Sequence, residues 1–324
     1  MRDIIEWNQR EEVEWLKYTI QPPLGVITGD YYCAKREFGG SEDVRGHLGK
    51  LEVVYSQGKI VFVEFNEQAM DAYYNQYFTG KDKRRSDYGI WQSSKERLQE
   101  GGVVLVDGML HVEAQIMERQ SLEGEFQVLT GASGSMKNML PMTAEIAEQM
   151  KNPSSRKYFS IAEDFGYGIT GWLQVITEDG RIVSCHYDEV FADHQAQIRF
   201  PELKRYYKQS KYHSPCYQDP FPRGWDRHVW NINFRTLMDL LEKRVIETQD
   251  LQNIDGLPYT EGENQGVMWD QDEAFDAPVC NTGAVRYPSY DNYLCLAKKL
   301  EKIIRNGRAA EEKKGGRAHG EHND

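Results

Sequence analysis

Two stretches of this chain carry one pattern at a fixed spacing. Residues 49–67 read GKLEVVYSQGKIVFVEFNE and residues 171–189 read GWLQVITEDGRIVSCHYDE, aligning without a gap at an offset of 122 (171 − 49). Seven of the nineteen positions are identical: Gly49/Gly171, Leu51/Leu173, Val53/Val175, Gly58/Gly180, Ile60/Ile182, Val61/Val183 and Glu67/Glu189. Lys59/Arg181, Phe65/Tyr187 and Asn66/Asp188 are conservative replacements. Each copy alternates apolar and polar residues, turns at a glycine and continues into a second apolar run. Alternation of period two is the mark of a strand with one buried face, and the glycine supplies the conformation that a tight hairpin turn needs. The chain therefore has to place two copies of one β-hairpin.

Further elements recur in the same order. Tyr73–Gln76 (YYNQ) has a counterpart in Tyr206–Gln209 (YYKQ), and Thr130–Ser133 (TGAS) in Thr282–Val285 (TGAV). Helix-like segments follow both turns: MKNMLPMTAEIAEQM after the first and YDNYLCLAKKLEKIIRNG after the second. In the latter, Tyr290, Tyr293, Leu294, Ala297, Leu300, Ile303 and Ile304 form one apolar stripe, with Gly307 placed to cap its C-terminus. The expected fold is α+β: two tandem related domains, residues 28–150 and 156–306, each a hairpin-based antiparallel sheet with helices. Residues 1–27 are read as an N-terminal helix and linker, closed by the tandem prolines of QPPLG. The polar tail, residues 308–324, is expected to be disordered.

The net charge is −12 over 324 residues. An acidic surface repels phosphate backbones and anionic lipid, which argues against nucleic acid and membrane as partners. The basic run Gly80–Arg85 (GKDKRR) is read as a solvated loop. No stretch approaches the ~20 apolar residues of a membrane helix, and the first twenty residues carry acids where a signal peptide would be apolar. A cytoplasmic location and reduced thiols at Cys33, Cys185, Cys216, Cys280 and Cys295 are the resulting expectations. Nothing in the sequence sets the oligomeric state.

A hairpin with a D-G-x-I-like second strand, a tyrosine-containing segment and then [ST]-G-A-[ST] before a helix resembles the FMN-bind domain family. Those domains occur in exported flavin lipoproteins and in flavin subunits of membrane oxidoreductases. The resemblance spans most of both halves and implies a tandem, divergent and degenerate member. In the family, the last residue of the motif accepts FMN through a phosphoester, and the matching position in the first copy is Ser133. The resemblance thus implies a cofactor site at Thr130, Gly131, Ala132, Ser133 and Ser135, with Thr282, Gly283, Ala284 and Arg286 as its second copy. Glycines allow the backbone to approach a phosphate, and Lys137 stands near it in sequence. Two departures matter: Gln127 occupies a position where the family usually has Asp, and Val285 has no hydroxyl to esterify. Non-covalent FMN is accordingly expected over covalent attachment at Ser133, with Arg286 offering a bidentate phosphate contact.

Other chemistry is less organised. His186, His194, His213 and His228 fall in the second half, with Cys185 and Asp188 nearby. Adjacent strand residues point to opposite faces, so Cys185 and His186 do not share a ligand site, and no metal is expected. Asp188, Glu189, Asp270, Asp272 and Asp276 are read as solvated acids, with acid–base work as the alternative. His47 is read as a structural histidine. No catalytic set is assigned. Three functions stay open: a flavoprotein moving electrons or hydride, a degenerate pair of domains binding another small molecule or a protein, and a flavin-independent enzyme. The last would draw its groups from the aromatic insertion around Ser214–Trp230.

Overall fold

Both hairpins form where the alternation places them. Strand β2 (His47–Ser56) turns into β3 (Lys59–Ala69), and β5 (Ile169–Glu178) into β6 (Arg181–Phe191). The computed structural model describes residues 11–95, 102–217, 232–261 and 287–318, with side chains described as far as Gly307. Each turn is a two-residue loop with both residues at positive φ, Gln57-Gly58 at 49° and 82° and Asp179-Gly180 at 50° and 76°. That conformation matches the right-handed strand twist of a tight hairpin. The two hairpins even share an irregularity: register slips between Val54 and Tyr55 in one, and between Ile176 and Thr177 in the other.

A leading strand precedes each hairpin, β1 (Gly25–Phe38) and β4 (Arg156–Asp164). These two pair antiparallel at the centre, so the six strands make one sheet in the order β3-β2-β1-β4-β5-β6. The α+β class holds as expected. Helices cover one face. Helix α1 (Tyr88–Ser93) is short. Helix α2 (Leu105–Arg119) packs on β3, while α3 (Ser133–Met139) and α4 (Pro141–Gln149) lie under β1 and β2. In the second half α5 (Phe234–Thr248) packs on β6, and α6 (Pro288–Ala318) crosses β4 and β5. Leu51, Val53 and Phe65 enter one apolar core, and Leu173, Val175 and Tyr187 the other.

Matching glutamines peg a helix to a strand in both halves. Gln120 and Gln249 end α2 and α5 in the left-handed region, at φ 55° and 59°. The Gln120 side chain bonds both the N–H and the C=O of Ile60, at 2.8 and 3.1 Å. Gln249 does the same to Ile182, at 2.8 and 3.0 Å. Two turns earlier, Glu113 accepts from the Phe65 N–H at 2.7 Å, and Glu242 from the Cys185 N–H at 3.2 Å, two residues before the Phe65 counterpart Tyr187.

Several expectations need correction. Residues 11–24 run as coil and turn rather than helix, with Leu16, Tyr18 and Ile20 buried. Those three recur every second residue, so the burial period is that of an extended segment; residues 1–10 lie outside the described set. Helix α6 continues past Gly307 into the expected tail, through Ala318. The YYNQ and YYKQ motifs are not structural equivalents: the bonds Lys83 N–H to Glu67 C=O and Lys211 N–H to Glu189 C=O set Lys83 opposite Lys211. Cys295 is held in a disulfide, while Cys33, Cys185 and Cys216 carry free thiols. Scattered cysteines gave no spacing signal for that bridge.

The repeated glycines differ in what they exclude. A Cβ at Gly171 would sit 2.1 Å from the ring of buried Phe165, whereas one at Gly49 would meet the flexible Met139 side chain at 2.9 Å. Gly171→Ala is expected to cost about 1–3 kcal/mol and Gly49→Ala clearly less. Urea unfolding of the two variants side by side checks this, and equal losses would refute it.

Candidate functional site

The sheet face away from the helices is not apolar throughout. A small cluster of Tyr31, Val54, Phe62, Tyr158, Ala162 and Trp172 lies at its centre. Around it the strands present Lys35, Lys50, Glu52, Glu64, Asn66, Gln174, Ser184 and His186, and a cleft of about 460 Å³ opens over them. Two segments close it from above. Asp82 and Arg85 come from the loop after β3, and Tyr212 and His213 from the matching loop after β6, with Arg235 and Glu242 contributed by α5. Both halves of the chain thus build one cavity.

Buried ion pairs shape its first wall. Lys83, Arg84 and Arg85 are buried, at 2%, 6% and 4% exposure, where a solvated loop was expected. The reason is pairing: charges leave water only when partnered. Both terminal nitrogens of Arg85 bond Glu64, one at 2.8 Å, and the guanidinium stacks 4.7 Å from the Trp172 ring centre. Arg84 binds Glu113 at 2.5 and 3.0 Å. The Asp82 carboxylate accepts from the N–H groups of Arg84 and Arg85 at 2.7 Å each, which fixes the loop. Burial works to raise the Glu64 carboxyl, but Arg85 and Arg84 outweigh it and hold it at about 2.

The second wall carries groups with no such pairing. His186 and Asp188 are two residues apart on β6 and face the same way; Cys185 points into the core, as expected. The ligand atoms of His186, Asp188 and His213 all lie within 4.8 Å of one another. The Asp188 Oδ1 accepts from the N–H groups of Glu189 and Tyr212, at 2.8 and 3.0 Å, and Ser210 stands beside the carboxyl. Its Oδ2 is buried without a hydrogen-bond partner. Burial raises the Asp188 carboxyl against the pull of His213. Burial, with His213 and Arg85 adding to it, lowers His186 to about 3, so its imidazole is neutral at pH 7. The His186 ring meets Tyr212 edge-on at 4.7 Å, and His213 Nδ1 lies 3.8 Å from Asp82.

The residues singled out by resemblance lie elsewhere. Thr130, Gly131, Ala132, Ser133 and Ser135 sit on the helix side of the sheet, and none lines the cleft. Thr130 and Ser133 are exposed, Gly131 has φ 106°, and buried Ala132 packs at Gly108. Ser135 is half-buried and stands beside the Glu67 carboxylate, which it helps to keep ionised. Lys137 is exposed, and Gln127 is tied to Gln115 through its backbone. Thr282, Gly283, Ala284, Val285 and Arg286 lie outside the described residues, as do His228, Asp270, Asp272 and Asp276.

Asp188 and Glu189, expected as solvated acids, are both buried, at 0% and 1% exposure. Glu189 is held by Lys211 at 2.7 Å, Tyr187 at 2.8 Å and Asn292 at 3.1 Å. His47 lies against Glu67 at 3.1 Å and the Phe38 ring. His194 is exposed and pairs with Glu12. His213 could not be joined to His186 from spacing alone, because an irregular loop brings it back over the strand.

No family model matches this chain, and no curated protein does. One solved structure, the CPE2226 protein from Clostridium perfringens, is similar at 21% identity and a TM-score of 0.28, over 40% of this chain and 95% of its own. No helix among the described residues is long and apolar enough to cross a membrane.

Proposed function

We propose that this protein binds a small polar molecule in the cleft on the open face of the sheet. The observation that carries this reading is the cleft itself. It has the volume of a small-molecule site, an aromatic floor, and convergent polar groups drawn from both halves of the chain. Charge placement agrees with a ligand of mixed polarity. Lys35 and Lys50 stand on the strands of the first half, facing Glu242 and His186 of the second. Arg85, Glu64 and Asp82 are engaged with one another and act as a rigid wall.

A thermal-shift screen of polar metabolites tests this, with Gln174→Phe as the control that fills the cleft. Gln174 faces the cavity and donates to the Tyr158 hydroxyl at 2.9 Å. A ligand at 100 times its Kd stabilises the native state by about 2.7 kcal/mol, which reads as a rise of several degrees. That rise is expected in the wild type and absent in Gln174→Phe. A rise that survives in the filled variant would place the ligand elsewhere.

A second reading keeps FMN, bound without a covalent link. It is favoured by the Thr130–Ser133 turn, where exposed hydroxyls flank a glycine in the left-handed region. The absorbance spectrum of purified protein, taken again on the supernatant after acid precipitation, tests it. A flavin band that moves to the supernatant supports non-covalent FMN; protein that is colourless and takes up no added FMN excludes it.

A further inference from the structure

We propose that His186, Asp188 and His213 form a binding site for one divalent transition metal ion, with an open coordination position facing the cleft. This rests on the cleft being the ligand site and gives that site its chemistry. Three observations carry it.

The first is the donor set. Two imidazoles and a carboxylate have ligand atoms within 4.8 Å of one another, and small side-chain rotations close that to the ~3.3 Å edge of a tetrahedral site with bonds near 2.05 Å. Nitrogen and oxygen donors of this kind suit Zn²⁺ and Fe²⁺ over Mg²⁺ or Ca²⁺.

The second is the state of Asp188. One oxygen is anchored by two backbone N–H groups, the Ser210 hydroxyl lies beside the carboxyl and helps to hold its charge, and the other oxygen is fully buried with no partner at hydrogen-bond geometry. A carboxylate held through one oxygen and unpartnered at the other is how second-shell contacts orient a metal ligand. An unsatisfied buried oxygen otherwise costs about 1–3 kcal/mol. The His186 ring likewise makes no hydrogen bond among the described residues.

The third is placement. His186 and His213 both line the cleft. A fourth position on the cleft side would take water or an oxygen of the bound molecule, the arrangement of catalytic rather than structural sites. Local charge allows it. Asp188 and Asp82 bring negative charge, and the nearby cation Arg85 is held by both oxygens of Glu64.

The test uses the untagged full chain, stripped with chelator and titrated with Co²⁺ and with Zn²⁺. The wild type is expected to take up one equivalent, with visible d–d absorption from Co²⁺. His213→Ala, at a partly exposed position, and His186→Ala are expected to bind at least about tenfold more weakly. His194→Ala, on the surface, should bind like the wild type. Melting curves confirm that each variant is folded. Wild-type protein that binds no metal, or His213→Ala that binds it unchanged, would overturn the proposal. A cleft ligand that still stabilises the chelated protein, when no metal binds, would retire the metal and leave the cleft reading standing. Metal uptake with no ligand found would do the reverse.

Discussion

Lys211→Ala is expected to destabilise the protein by about 3–5 kcal/mol, read by urea unfolding at pH 7. The Lys211 ammonium is 2% exposed and lies 2.7 Å from the Glu189 carboxylate, itself 1% exposed. Removing the cation leaves a carboxylate in the core with only the Tyr187 hydroxyl and the Asn292 amide to answer it. The loss is large because of the charge left behind rather than the pair removed. Lys211→Met combined with Glu189→Gln should therefore recover most of it. The first half repeats the arrangement. Lys83 is buried against Glu67 and stands over the rings of Tyr73 and Tyr88, at 4.5 and 4.8 Å, and Lys83→Ala should cost a similar amount. A Lys211→Ala protein within 1 kcal/mol of wild type would show that water reaches the pair and would end this account.

The second large effect is a pH dependence centred on Glu64. Its carboxyl is held at about 2 against an ordinary value of 4.5, because Arg85 and Arg84 overcome the cost of burial. A depressed folded-state value means that the unfolded chain takes up the proton first. The stabilisation is complete above pH 4.5 and is lost as the pH falls towards 2. The difference of about 2.5 units corresponds to roughly 3 kcal/mol. Glu64→Gln is expected to be less stable at pH 7, since Arg85 loses its charged partner, and its stability should fall less steeply between pH 5 and pH 2. Urea midpoints across that range, for both proteins, decide the matter; parallel curves would rule Glu64 out as the titrating group.

The hairpins were legible because two independent copies agreed. Alternation at Leu51, Val53 and Leu173, Val175, with glycine at both turns, left one way to fold those stretches. The leading strands were less visible. Gly25–Phe38 alternates only in part, and its role at the centre of the sheet depends on pairing with Arg156–Asp164, more than a hundred residues away. Helix α2 goes unremarked in the sequence although Leu105, Met109, Val112 and Ile116 recur at helical spacing and are buried; Gly108 in its first turn interrupts the pattern.

For the site, charge misled. Lys83, Arg84 and Arg85 read as surface residues because a sequence shows charges but not the acids that fold back to meet them. A signal was present: Glu64 and Glu67 lie on a strand otherwise read as core, and buried acids require cations. The resemblance directed attention to the helix side of the sheet, while the open face depended on register. His186 and Asp188 share a face by parity alone, and only the loop path adds His213.

The pegs at Gln120 and Gln249 have a consequence for assembly. Strands β3 and β6 are the two outermost of the sheet, and an outer strand with bare N–H and C=O groups is a template for another chain. Here many of those groups are already taken. On β3, Ile60 is engaged by Gln120, Phe65 by Glu113 and Arg84, and Ala69 by the returning backbone at Gly80 and Lys81. On β6, Gln249, Glu242, Lys211 and Gln209 do the same for Ile182, Cys185, Glu189 and Phe191. Side chains and loops stand where a seventh strand would dock. A sheet covered along much of both margins resists edge-to-edge aggregation, which favours association of two copies through side-chain surfaces over extension of the ladder.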